Sequence, residues 1–385
     1  MTVSSANPTI RMAADFECGF AAETAWARAL AASTQFSGLA LAAENFDQIV
    51  IRHRPQDLTT SGHAAPTRAL RSHVEGQISA PFNLGLARWL LPAILGQPLQ
   101  SAAPRTTPRT TPRTSSRTAP RIIPPQINPI SPAILPSGWT PRASLALPAS
   151  QPAPATPALP SFAFVRRFAT DQHWSEFTGL KCAEIDLSHD ATSGEGAVLR
   201  ARFIGASRQI RSRLRHAAVP AAPALGLVAD STALALRATG GAALSAGDGL
   251  LVTGWRLHLR RGGMRPVFAL ASDSPHLISD GVLAITGSLS LLANDAATAL
   301  LDRLGAGPAP ALRLALQLRL DDAAGGGLVF DLPALAVTTY FSRATATAQP
   351  AGITLGFELV PPSRSRATAM LRLAEIAASD AGGQG

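Results

Sequence analysis

The sequence predicts a mainly β protein, an antiparallel sandwich or barrel with one or two short flanking helices and a proline- and arginine-rich insertion. Three observations carry this. From residue 161 onward, ten short apolar-periodic segments read as strands, while only 294–305 and about 366–378 read as helices. "ALRLALQLRLDD" sets Leu312, Leu314, Leu316, Leu318 and Leu320 against Arg313, Gln317 and Arg319, the pattern of a sheet with one wet face. Residues 101–160 hold 15 of the chain's 31 prolines and cannot form a core of their own.

The elements follow in order. Within 1–100, an N-terminal arm and the first part of the β domain, "NFDQIVIRH" and "HVEGQISAPF" read as strands. "NLGLARWLLPAILGQ" has helical spacing, with Pro92 disturbing its middle. Residues 101–160 form the insertion, where "PRTTPRTTPRTSSRTAPR" repeats Arg every four residues. Pro104, Pro108 and Pro112 forbid the helix that this spacing would otherwise suit, so an extended, solvated segment is expected. Residues 161–362 form the main β domain, and 363–385 a C-terminal helix and tail. In "GVLAITGSLSLLANDAATALLDRL" (281–304) a two-residue alternation gives way to helical spacing of Ala297, Leu300, Leu301 and Leu304. Asn294 or Asp295 is the expected N-cap.

Charge and chemistry point away from a site. The net charge of +9 is concentrated in 101–160, which carries six Arg and no acid, and Lys181 is the only lysine. The eight His are scattered singly, and Cys18 and Cys182 lack metal or redox spacing, so a reducing compartment fits. Asp321-Asp322 before Gly325-Gly326-Gly327 is a turn, and "HDATSGEGA" (189–197) a hairpin loop. No phosphate-binding loop, dinucleotide fingerprint or nucleophile elbow is present. Hence no catalytic residue, metal site or cofactor is expected. Aromatic residues make up 5% of the chain, too few for a base-stacking surface. No signal segment or membrane span is read, so the chain is expected to be soluble and made in the cytoplasm.

The order of elements resembles the tail tube proteins of long-tailed bacteriophages, the siphophage-type major tail proteins. "FECGFAAETAWARAL" (16–30) resembles the family's opening, and "HVEGQISAPFNLGLARWLLPAILGQ" (73–97) a strand leading into a helix that ends at Gly. In residues 161–207, Phe162, Phe164, Trp174, Phe177, Gly179, Phe203 and Gly205 match the family's strand, turn and Phe-x-Gly hairpin. The stretch 254–304 repeats the theme of strand, connection, strand and short helix.

That resemblance implies a structural virion protein in stacked, usually hexameric, rings around a continuous β-barrel. It also implies contacts with tape measure, tail terminator and distal tail proteins, and DNA as transient cargo read without sequence. Localisation would be the virion tail, assembled in the host cytoplasm. Residues 260–276, with Arg260, Arg261, Arg265 and Phe268, are the expected inter-ring loop. Two other readings stay open: a carbohydrate- or receptor-binding sandwich, and a nucleic-acid-binding protein using the Arg-rich arm.

Overall fold

The computed structural model describes residues 16–28, 30, 34–53, 68–97, 100–101, 139–148, 159–168, 173–191, 193–212, 218–219, 226–228, 234–238, 243–244, 248–270, 272–305, 313–322, 326–343, 351–360 and 369–378. The first half runs β1 (Phe16–Ala22), β2 (Phe36–Gly38), β3 (Ala43–Glu44), β4 (Asp47–His53), β5 (Arg68–Pro81) and α1 (Leu84–Leu95). It continues with β6 (Gln100–Ser101), β7 (Trp139–Pro148), β8 (Phe162–Phe168), β9 (Trp174–Asp190), β10 (Val198–Gly205), β11 (Ser207–Arg211) and β12 (Ala218–Val219). The second half runs β13 (Leu234–Ala238), β14 (Ala243–Leu244), β15 (Val252–Gly262), β16 (Pro266–Val267), β17 (Leu277–Ile278), β18 (Val282–Leu292) and α2 (Asp295–Gly305). Then come β19 (Arg313–Asp321), β20 (Gly326–Arg343), β21 (Gly352–Leu359) and β22 (Ala369–Ala378).

One large antiparallel sheet has the order β4-β5-β10-β9-β15-β18-β21-β20. Two smaller sheets branch from it because β9 and β20 are long enough to serve two sheets each. The first half of β9 lies between β8 and β11, with β1 and β2 beyond β8. The first half of β20 lies between β19 and β22, with β13 and β14 beyond β19 and β7 beyond β22. A shared core joins the layers. Leu187, Leu199, Leu257, Leu289 and Leu355 of the large sheet belong to the same apolar cluster as Leu314, Leu316, Leu318, Leu320 and Phe330.

Seven pairings of the first half recur in the second. Those of β1 with β2, β1 with β8, β8 with β9 and β9 with β11 correspond to β13 with β14, β13 with β19, β19 with β20 and β20 with β22. In the large sheet, β4-β5-β10-β9 corresponds to β15-β18-β21-β20. Detail recurs too. Gly76 on β5 sits opposite Phe203 on β10, and Gly287 on β18 opposite Phe357 on β21. The register slips between Arg202 and Phe203 opposite β9 in one half, and opposite Gly356 and Phe357 on β20 in the other. The chain is therefore two copies of one fold in tandem.

Each copy sends its second strand into a helix two residues later. Asn83 caps α1 and Asn294 caps α2, with Leu86 N–H and Ala297 N–H each donating to the Asn Oδ1 at 2.9 Å. The change of period at 281–304 is thus the strand-to-helix junction of the second copy. Asn83→Ala and Asn294→Ala should each cost about 1 kcal/mol, read as a lowered urea midpoint. α1 continues through Pro92 because only one backbone bond is lost there. Its end is closed by Gly96 at φ 73°, whose N–H donates to the Pro92 carbonyl at 2.8 Å.

Four expectations are corrected. The expected helix at 366–378 is the strand β22, held between β20 and β7. Ala, Leu and Glu favour a helix there, but two strand partners override propensity. The insertion 101–160 is not wholly outside the fold: β7 occupies 139–148 and pairs along β22, while 102–138 and 149–158 lie outside the described residues. Two of the ten segments read as separate strands from the sequence, "LVFDL" and "LAVTTYF", are one continuous strand, β20, running through Pro333. The fold divides between the two copies, at the connection after β12, so the boundary expected at 161 falls inside the first copy.

Candidate assembly surfaces

The first copy's signature residues meet at one glycine. Gly179 lies on β9 where the strand leaves the small sheet for the large one, with φ +68°. Its N–H donates to Glu23 Oε1 at 2.8 Å, and its carbonyl accepts from Trp26 Nε1 at 3.1 Å. Glu23 Oε2 accepts from Ala27 N–H at 3.1 Å. Burial pushes the Glu23 carboxyl up, outweighing the N–H donors that favour its charged form. Gly179 and two residues of the opening segment, Glu23 and Trp26, are therefore one local device that bends β9. It carries no chemistry.

The expected inter-ring residues do not form one group. Arg260 projects from the outer face of the large sheet, opposite Glu184 on β9. Arg265 is exposed in the Gly263–Gly281 loop, and Phe268 is half-buried beneath the Arg71 guanidinium, 5.1 Å from the ring centre. Arg261 is only 7% exposed. Its Nε donates to the Ile94 carbonyl at 2.6 Å, so it closes the C-terminal end of α1, where a cation also suits the helix dipole. Alternation explains the correction: Arg261 shares the inward side of β15 with Leu257 and Leu259. Arg261→Met should lower stability by about 2 kcal/mol, since it strips the donor from a buried carbonyl. A urea midpoint unchanged from wild type would return Arg261 to the contact surface.

The Gly263–Gly281 loop is a built structure. β16 pairs with β17, and Ile278 and Met264 are buried with Leu159, Ala183 and Ile204. Lys181 anchors it, donating to the Ile278 carbonyl at 3.1 Å and to Asp280 Oδ1 at 2.6 Å. The loop also leans on the β4–β5 hairpin, where Ser72 N–H donates to the Asp273 carbonyl at 2.7 Å. Its outer side exposes Val267, Leu277 and Leu270, the last at 95%.

Two further surfaces were not singled out in the sequence. The outer face of the large sheet is a grid of paired charges. Glu184 and Asp186 on β9 lie between Arg200 and Arg202 on β10 and Arg256, His258 and Arg260 on β15. Arg202 binds Glu75 at 2.8 Å, Arg256 Nε binds Asp186 at 2.7 Å and His258 binds Glu184 at 2.8 Å. The second surface is the pair of edges of that sheet. Ile49, Val50 and Ile51 are exposed on β4, and Tyr340 (58%) and Phe341 (55%) on β20. Among the described residues no strand covers the outer side of either edge.

Buried thiols complete the picture: burial pushes both Cys18 and Cys182 up to about 12, as suits core packing. Among the described residues, no three His, Cys, Asp or Glu gather as a metal site, and no helix is long and apolar enough to cross a membrane. Gln317 and Arg319, expected on a wet face, are half-buried and buried, in contact with Asp331 and Asp321.

A β protein whose notable surfaces are open sheet edges, an anchored apolar loop and a charge-paired face belongs to the class that works by assembling. The family model described as phage tail tube protein matches residues 17–361, and the chain belongs to that family. No curated protein sequence matches it. It is a structural tail tube protein of a virion tail.

Proposed function

We propose that the chain self-assembles into rings that stack as the tube of a phage tail, a conduit for DNA ejection built in the host cytoplasm. The observation that carries this is the pair of open, apolar edges at the two ends of one large sheet. An edge of that kind is an aggregation hazard unless a neighbour covers it, and joining one end to the other is a head-to-tail contact that closes into a ring. Six chains, each giving its inner strands to one barrel around the channel, is the arrangement that the sequence resemblance implies.

The charge grid is the face we assign to the channel. Arg202 and Arg256 are already paired with Glu75 and Asp186, and Arg200 and Arg260 lie opposite Asp186 and Glu184, so DNA would pass a surface with reduced net pull on phosphate, as cargo requires. The Gly263–Gly281 loop, with Arg265, Phe268 and Leu270, is assigned to contacts between stacked rings. Tape measure, tail terminator and distal tail proteins are the expected further partners, and no enzymatic role is assigned.

The rival readings find less support. Trp174 and Trp255 are buried and Trp26 and Trp89 half-buried, so none of these four offers a sugar platform. Deleting 102–138 separates the tube from the Arg-rich arm. Electron microscopy of the purified deletion variant should still show rings or tubes. Loss of all assembly, together with loss of steeply salt-dependent DNA binding, would favour the arm reading.

A further inference from the structure

The duplication predicts how one chain meets the next, and how many chains make a ring. Within the large sheet, one pairing lies between the two copies: β9 against β15, with Glu184 opposite Arg260, Ile185 opposite Leu259 and Asp186 opposite His258. By the correspondence of strands, β20 is the second copy's β9 and β4 is the first copy's β15. The strand that would follow β20 in this order is another β4, and none lies there among the described residues. The strand that would precede β4 is another β20.

The register follows from matched landmarks. Cys182 and Glu184 of β9 face Phe203 and Arg202 across the slip in pairing, and Val337 and Thr339 of β20 face Phe357 and Gly356 across the same slip. Thr339 is thus the counterpart of Glu184. On the other strand, Ile49 faces His73, three residues before Gly76, and Arg260 faces Ala284, three residues before Gly287. Ile49 is thus the counterpart of Arg260.

We infer that β20 of one chain pairs antiparallel with β4 of the next, with Thr339 opposite Ile49, Tyr340 opposite Gln48 and Phe341 opposite Asp47. This inference rests on the tube reading and specifies its partner surface as a second copy of this chain. It covers Ile49, Tyr340 and Phe341 together: Ile49 lies directly opposite Thr339 and diagonal to Phe341, within reach of an aromatic side chain. Each chain then supplies two equivalent four-stranded segments, joined internally by β9–β15 and externally by β20–β4. A ring holds half as many chains as segments. Where six segments surround the channel, the ring is a trimer of chains with an approximate sixfold barrel, which replaces the six-chain ring expected from the sequence.

Cysteine cross-linking tests this in the full chain. Two variants are made, Thr339→Cys with Ile49→Cys, and Tyr340→Cys with Gln48→Cys. Adjacent antiparallel positions alternate between wide and close pairs, and one of the two variants has the geometry for a disulfide. The native Cys18 and Cys182 are buried and stay silent. Particles are oxidised mildly and run on a denaturing, non-reducing gel, alongside native mass spectrometry of unmodified rings. The expected result is a ladder that ends at three chains and a ring mass of three times 39.9 kDa. A ladder or mass at six chains would overturn the stoichiometry. Failure of both pairs to cross-link within tubes visible by electron microscopy would overturn the edge pairing while leaving the tube reading intact. Absence of any ring or tube at every concentration would overturn the tube reading itself.

Discussion

Gly179→Ala is expected to leave little soluble folded protein, with a loss of at least about 3 kcal/mol. Two costs add. A methyl group at φ +68° is strained in itself, by about 1–2 kcal/mol. That Cβ would also lie 2.8 Å from Ala206 Cβ and 3.0 Å from Ala27 Cβ, both fixed to backbone and unable to rotate away. Displacing Ala27 would pull on Glu23 and Trp26, which hold the N–H and carbonyl of Gly179. Ala206→Gly in the same chain relieves the shorter contact and leaves the strain. It should therefore restore part of the soluble yield. Wild-type urea stability in Gly179→Ala would show that β9 can change sheets without this bend.

The second large effect is expected at Gly76. An added Cβ would stand 2.1 Å from Phe46 Cδ1, inside the ring's own volume. Phe46 cannot yield, because it is fully buried among aromatic neighbours, 4.5 Å from Phe164, 5.5 Å from Phe177 and 5.7 Å from Phe203 between ring centres. Gly76→Ala should cost about 3 kcal/mol through overpacking. Phe46→Leu should cost roughly 1–2 kcal/mol. Combining them should cost clearly less than the two separate losses, since a smaller side chain frees the space that the methyl needs. Strict additivity in a double-mutant cycle measured by urea unfolding would refute the contact. The matching glycine of the second copy is crowded by other groups, since a Cβ on Gly287 would lie 2.5 Å from both Phe357 Cζ and the Arg256 carbonyl oxygen.

Much of the fold was legible in the chain because the physics there is local. The buried Leu314, Leu316, Leu318 and Leu320 and the Asn294 cap need only neighbours in sequence, and both are found, although the opposite face expected to be wet is half-buried at Gln317 and buried at Arg319. The misreadings share the opposite cause. β22 is an Ala- and Leu-rich segment made into a strand by β7 and β20, which lie far away in sequence. The alternating Ala143, Leu145 and Leu147 of β7 were hidden by the proline-rich composition around them. Arg261 looked like part of an exposed basic run, yet its inward parity on β15 takes it to the end of α1.

The duplication was the least legible feature. Between 73–83 and 284–294 only Gly76 with Gly287, Ser79 with Ser290 and Asn83 with Asn294 are identical at matched positions. At the glycines a Cβ has no room and the asparagines are helix caps, whereas the interchangeable apolar positions have drifted. Residues 101–160 also separate the first copy's helix from its β8, so the two copies differ in length.

Electron cryomicroscopy of assembled particles, reconstructed without imposed symmetry, tests the central claim most directly. The account predicts rings of three chains whose large sheets join into one barrel through β20 and β4, with Thr339 opposite Ile49. A dispersed 39.9 kDa monomer at every concentration, or rings in which both edges face solvent, would contradict it.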